Sequence, residues 1–367
     1  SLTGGRLVGS VTSFENFAEC PLRYYFRYGV DLKEREEFTF SPVNFGVVLH
    51  AVIREVCDEI KKNGESYYLI SEEKRREMVK RSVAAITDIY QNSILKDSSR
   101  NSFMIKRMED LADRTVWAMG EQLKCGDFVP FVFEHKFNME VGDGDRKQLM
   151  SGTIDRVDIC ENGTDVYVRI IDYKTGKKDF NIVKTYYGID IQLMVYMEAA
   201  MKLVAKMRPG KNVIPAGVFY YNISDPIVSA TTESAEEIED KIKGELRLKG
   251  MVNSDKDIAE KMDNTGGTSL NIPVSRKADG GFDSRRSKVM NTEQFNMLGR
   301  FVDVRAIDTA DRIAGGDIRR SPYKDGQFSS CDRCPYGAVC GFSVDLPGCN
   351  YRKLKKFDDE VLWNNIK

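Results

Sequence analysis

The feature that most constrains this chain is a strand that ends in charge. Val166, Val168 and Ile170 alternate along the sequence, and the same alternation then carries Asp172 and Lys174. Side chains at i and i+2 of a strand share a face, so an apolar, core-facing row turns into a carboxylate and an ammonium at its end. Burying such groups without partners is costly. Taken alone, an Asp-x-Lys of this kind reads as a structural ion pair.

The preceding hairpin changes that reading. Asn162-Gly163 lies between two predicted strands, Gly152–Cys160 and Val166–Thr175, and is a strong two-residue turn signal. With that turn, Glu161 opposes Thr164 and Asp155 opposes Ile170. Asp155 then shares a face with Asp172, one diagonal step away at roughly 7–8 Å. Two carboxylates that close repel unless a cation sits between them, and hard divalent ions such as Mg²⁺ prefer oxygen ligands. A one-residue slip in register would put Asp155 on the opposite face. Lys174 beside such an ion could orient a nucleophilic water or stabilise charge on a phosphate.

Other polar residues gather around this pair. Glu134, on a predicted strand Phe131–Val141, could supply a further acid. His50 lies on a predicted helix Phe45–Ile60, beside its stripe of Leu49, Val52, Ile53, Val56 and Ile60; a lone helical His is more often structural. Gln192 and Tyr196 stand one above the other on a helix predicted from about Ile189 to Lys206. In that apolar run they want polar partners, and a strand end carrying charge provides them. His135 reads as structural.

Helices over 71–125, a strand Ala216–Ile223, a polar stretch 224–300 with loop signals at Gly266-Gly267-Thr268 and Asp279-Gly280-Gly281, and a helix Thr292–Ile313 complete the pattern. Strands and helices mix along the whole chain, which predicts one α/β domain over 1–367. Its core lies at about 45–60 and 130–223, with a helical insertion at about 61–125 and a second insertion at about 224–300. The 367 residues carry 55 Lys+Arg against 56 Asp+Glu, so net charge neither favours nor excludes a nucleic-acid partner. The basic runs at Arg285-Arg286-Ser287-Lys288, Arg319-Arg320 and Arg352–Lys356 read as solvated surface. No long apolar run and no signal segment is present, which predicts a cytoplasmic chain with no membrane association. The start without Met suggests a piece of a longer protein.

Of eight cysteines, three crowd together as Cys331-x2-Cys334-x5-Cys340. In a reducing compartment this density points to metal ligation. A zinc ribbon wants two Cys-x-x-Cys pairs, and only one is present.

These residues resemble the RecB-type branch of the PD-(D/E)XK nucleases. The resemblance rests on His50, on Gly152-Thr153-Ile154-Asp155-Arg156-Val157-Asp158, on Ile171-Asp172-Tyr173-Lys174-Thr175-Gly176, and on Gln192-Leu193-Met194-Val195-Tyr196. It implies a restriction-endonuclease-like α/β core, a central mixed sheet flanked by helices. It implies that His50, Asp155 and Asp172, with the main-chain carbonyl of Tyr173, bind the catalytic Mg²⁺ or Mn²⁺, and that Lys174 is catalytic. Gln192 and Tyr196 match the motif that supports the active site and contacts DNA.

The cysteines add a second resemblance. Cys20-Pro21 near the start, with Cys331, Cys334 and Cys340 near the end, is similar to the iron–sulfur staple of AddB-type helicase–nuclease proteins. There four thiolates hold a 4Fe–4S cluster that joins the two ends of the domain. Cys349 is the rival fourth ligand, while Cys57, Cys125 and Cys160 read as ordinary thiols. The opening Ser13–Pro21 and the segments Ile272–Val274 and Ser287–Met290 extend the likeness along nearly the whole chain. No Gly-x4-Gly-Lys-Ser/Thr phosphate loop occurs, so ATP hydrolysis is not expected of this chain. The resemblance implies an AddA-type helicase–nuclease partner, double-stranded DNA ends with their unwound single strand as substrate, and a role in recombinational break repair. Two other readings are a DNA-guiding module without cleavage and a free-standing CRISPR- or phage-type iron–sulfur exonuclease, the latter disfavoured by the 224–300 insertion.

Overall fold

The computed structural model describes residues 2–3, 6–33, 42–90, 99–142, 147–229 and 234–367. In chain order the elements begin with β1 (Leu2–Thr3), β2 (Arg6–Ser10), α1 (Val11–Glu19) and α2 (Pro21–Tyr24), which runs into a π-helical turn at Tyr25–Gly29. Three long helices follow: α3 (Pro42–Lys62), α4 (Glu72–Tyr90) and α5 (Ser99–Lys124). Then come β3 (Val129–Val141), β4 (Gln148–Asn162), β5 (Asp165–Lys174), α6 (Ile182–Tyr186), α7 (Gln192–Met207) and β6 (Asn212–Asn222). Next are α8 (Ala235–Glu245), β7 (Lys249–Asn253), α9 (Lys256–Met262), β8 (Val289–Met290) and α10 (Thr292–Ala314). The chain ends with β9 (Tyr323–Asp325), β10 (Phe328–Ser329), α11 (Gly337–Cys340), β11 (Arg352–Lys353) and α12 (Asp359–Ile366).

One mixed sheet of eight strands organises the chain, in the order β1-β2-β4-β5-β6-β7-β8, with β3 paired to β4. Pairing is antiparallel for β3–β4 and β4–β5 but parallel for β5–β6. Residues alternate between two cores, one on each face. Tyr167, Ile171 and Tyr173 of β5 join Leu49, Val52, Ile53 and Val56 of α3, with α4 and α5 behind them. Val166, Val168 and Ile170 join Leu193, Met194 and Val195 of α7 and Phe295 and Leu298 of α10. A strand covered on both faces reads as a nearly continuous apolar run, as this one does. Among the described residues no helix is long and apolar enough to cross a membrane.

One expectation is corrected, and two strands add to the pattern read from the sequence. First, the hairpin turns one residue later than expected: Asn162 pairs with Asp165 and Val157 with Ile170. The loop is therefore Gly163-Thr164, and Gly163 is its one residue with positive φ, at 60°. That matches a turn with Gly at the first central position rather than one with both Asn and Gly inside it. The register shifts by two, so the face is preserved, and Asp155 comes level with Asp172 instead of one step away. Second, the stretch 224–300 is not only an insertion, because β7 extends the sheet beside β6 with Phe219 opposite Gly250. A five-residue strand paired across a long connection leaves little local signal. Third, β2 adds a parallel strand beside the first half of β4, with Val8 opposite Leu149. Part of the predicted helical stretch, 91–98, lies outside the described residues.

The two chain ends meet. A small sheet of β10, β9 and β11 lies against the end of α1, where the Arg352 guanidinium donates to the carbonyls of Ala18 and Glu19, and to that of Ser321 at 2.9 Å.

Candidate active site

The site lies where the end of β5 meets the middle of β4 and β3, between α3 on one face and α7 on the other. His50 projects from α3, its Nδ1 3.5 Å from Oδ1 of Asp155 on β4 and 3.7 Å from Oε1 of Glu134 on β3. The ligand-capable atoms of His50, Glu134 and Asp155 all lie within 4.8 Å of one another. Burial opposes the charged imidazole, but hydrogen bonds to Asp155 and Glu134 outweigh it and push the His50 pKa up to about 10.

Glu134 is held in an unusual conformation, with φ of +48° inside a strand. A non-glycine residue in the left-handed region costs free energy, and such residues concentrate at functional sites. It sits between Phe133, opposite Arg156, and His135, opposite Ile154, which brings it level with Asp155. The sequence singles out Glu134 as a further acid, but its patterning cannot show the backbone twist that aims this carboxylate at His50.

Asp155 divides its two oxygens. Oδ1 faces His50, while Oδ2 accepts the backbone N–H of Tyr173 at 2.6 Å. Asp172 is 2% exposed. Its Oδ1 accepts from Nε2 of Gln192 at 3.2 Å, and its Oδ2 lies 2.5 Å from Nζ of Lys174. Burial, then the nearby charge of Asp155, push Asp172 up to about 7 against the pull of Lys174. Asp172 is thus close to the His50–Glu134–Asp155 group but turned toward Lys174 rather than into it.

Gln192 ties these groups together. Its Oε1 accepts from Lys174 at 3.0 Å, and its Nε2 also donates to the hydroxyl of Tyr196 at 3.0 Å. Tyr196 packs edge-on against Phe137. Gly152 leaves that room, because a Cβ there would come within 2.8 Å of Phe137 and 2.9 Å of Tyr196. Behind the site, Asp158 accepts from Arg156 at 2.6 and 2.7 Å and from Arg169 at 2.8 Å, all three fully buried.

The donor set suits a divalent cation: one imidazole and several carboxylate oxygens, with Asp172 Oδ2 held by the Lys174 ammonium beside them. Like-charged carboxylates this close are relieved by a cation between them.

At the C-terminal end of α1, Cys20, Cys331, Cys334 and Cys340 line one small cavity with Phe26, Tyr336 and Phe342. Burial raises the Cys331 thiol, a hydrogen bond from Tyr351 opposes it, and the thiols of Cys20, Cys334 and Cys340 add to the rise. Cys349 is buried and does not line that cavity. Cys57 packs near the Met119 sulfur at 3.9 Å.

A family profile described as the PD-(D/E)XK nuclease superfamily matches residues 9–341. The chain is also similar to proteins whose names describe one subunit of an ATP-dependent helicase/deoxyribonuclease. One, from Lachnoclostridium phytofermentans, is 33% identical over 376 residues, covering 100% of this chain and 32% of the relative. Another, from Clostridium acetobutylicum, is 34% identical over 376 residues with the same coverage. A third, from Caldanaerobacter subterraneus, is 34% identical over 374 residues, covering 99% of this chain and 32% of the relative. The chain therefore spans about a third of the length of these relatives.

Proposed function

The chain belongs to the PD-(D/E)XK nuclease superfamily, and from that premise we propose that it hydrolyses DNA phosphodiester bonds with a divalent cation, Mg²⁺ or Mn²⁺. The observation that carries this is the convergence of His50, Glu134 and Asp155 beside Asp172 and its partner Lys174. His50, Asp155 and Asp172 would hold the cation, with Glu134 and the Tyr173 main-chain carbonyl as further oxygen donors. A bound cation would polarise the phosphate and lower the pKa of water. Lys174, fixed between Asp172 and Gln192, is placed to orient the attacking water and to offset charge developing on phosphate oxygens. Gln192 and Tyr196 hold that pair in place from α7.

A groove beside the site suits a polyanionic strand. Beyond Lys174 it is lined by Lys177, Lys178, Lys184, Lys288, Arg23 and Arg333, against Glu19, Asp179 and Asp190. It runs from the loop after β5 to the cysteine-bearing end of the molecule, where Phe328 lies under Arg333.

Cys20, Cys331, Cys334 and Cys340 fit a thiolate-held group, and a 4Fe–4S cluster is the reading we favour. Its role would be structural, because it would fasten residues near both ends of the chain and so restrict the unfolded state. Likeness to the helicase/deoxyribonuclease relatives supports an AddA-type helicase–nuclease partner, and work on double-stranded DNA ends and their unwound strand in recombinational repair. The test is cleavage of linear double-stranded and single-stranded DNA with Mg²⁺ or with EDTA. Cutting that needs the ion supports the proposal, and ion-independent cutting or none contradicts it.

A further inference from the structure

The first turn of α7 has no cap of its own. Its N-cap residue is Ile191, which makes no side-chain cap hydrogen bond. An α-helix leaves its first four backbone N–H groups without intrahelical partners, and here a distant helix supplies an acceptor. Oε1 of Glu15, on α1, accepts from the N–H of Ile191 at 2.9 Å and from the N–H of Gln192 at 3.0 Å. A carboxylate at this point also meets the positive end of the helix dipole.

The residue clamped in this way is the one whose side chain joins Lys174, Asp172 and Tyr196. Its backbone is held by Glu15 while its amide holds the charged pair. The segment entering α7 is fixed as well. Lys178 pairs with Asp190 at 3.1 Å, and the Tyr220 hydroxyl donates to Asp190 at 2.6 Å. Nor is α1 free to drift. Phe14 and Phe17 are buried, Arg312 lies over the Phe17 ring, and Cys20 ends the helix at the cysteine cavity. Glu15 therefore reaches α7 from a rigid support.

We propose that Glu15 is a positioning residue for the cleavage reaction, setting the first turn of α7 and through it the Gln192 amide that aligns Lys174 with Asp172. This inference rests on the nuclease reading of the site. A cap that served stability alone would change the melting temperature and leave turnover untouched. A positioning residue changes turnover, because small misplacements of catalytic groups are expensive.

The experiment compares wild type, Glu15→Gln and Glu15→Ala in the natively purified protein. It measures kcat and KM on linear DNA with Mg²⁺, together with Mn²⁺ affinity and melting temperature. Glu15→Ala should lower kcat by about tenfold to a hundredfold, with KM and Mn²⁺ affinity unchanged. Glu15→Gln should recover most of the rate, since its amide oxygen can accept the same two N–H groups. Should Glu15→Ala not fold, Glu15→Asp replaces it, keeping the charge but shortening the reach, with the same fall in kcat expected. Full kcat in a folded variant with only a lower melting temperature would overturn the positioning role and leave the nuclease reading intact. A wild type that never cuts, despite binding Mn²⁺ and DNA, would overturn both.

Discussion

Asp155 accepts the backbone N–H of Tyr173 at 2.6 Å through one oxygen and presents the other to His50 at 3.5 Å. The hydrogen bond fixes the carboxylate across the β4–β5 pair, so its second oxygen is aimed before any cation arrives. Asp155→Asn keeps the shape and an acceptor for Tyr173 but removes the charge. Mn²⁺ affinity measured by calorimetry should fall by about a hundredfold. The melting temperature in EDTA should change little, because the lost repulsion on Asp172 offsets the lost pairing with protonated His50. A large loss of stability in EDTA would instead make Asp155 structural.

Asp158 makes the opposite case. It is fully buried between Arg156 and Arg169. Burial works against its charge, but the two guanidiniums overcome this and hold its carboxyl below the usual range. Removing it leaves two buried cations unmatched, so Asp158→Ala should cost about 3–5 kcal/mol of stability by denaturant titration. Since its folded pKa is lowered, this stabilisation is present above the unfolded carboxylate pKa and is lost only as pH falls through the folded value. The loss on substitution should therefore be constant across neutral pH.

His50 sets the sign of a different pH dependence. Its pKa in the metal-free protein is about 10, raised from 6.5, so the folded state binds a proton there that the unfolded state has released. Stability from this source is complete below about 6.5 and declines as pH rises toward about 10. Thermal melts in EDTA should show the melting temperature falling between pH 7 and pH 10. His50→Gln should flatten that slope, and an unchanged slope would refute the assignment.

The cysteine cavity yields a spectroscopic prediction. Cys20→Ser, Cys331→Ser and Cys340→Ser should each lower iron and sulfide content, visible absorbance and melting temperature together. Cys349→Ser should lower none of them, since Cys349 does not line the cavity. Loss of iron in the Cys349 variant alone would reassign the fourth ligand.

Much of the core is legible because it is written in short periods. The alternation through Val166, Val168 and Ile170 places β5, and the apolar stripe of α3 carries His50 with it. The hairpin register differs from expectation by two residues because Asn-Gly reads as a turn interior, whereas the positive φ falls on Gly163 alone. Parity survives the shift, so Asp155 still shares the face of Asp172. What stays hidden is nonlocal. β2 and β7 are short strands that pair across long connections. The Glu134 carboxylate is aimed by a twisted backbone, and Glu15 acts on residues far along the chain. No local pattern encodes such contacts.

The most direct test of the account is cleavage of linear duplex and single-stranded DNA by the natively purified protein, comparing wild type with Asp172→Ala. Both are assayed in Mg²⁺ and in EDTA, with folding and DNA binding checked in parallel. The account predicts cutting by wild type in Mg²⁺ only, and a loss of about a thousandfold or more in the variant at unchanged DNA affinity. Cutting by Asp172→Ala at the wild-type rate, or by wild type in EDTA, would contradict it.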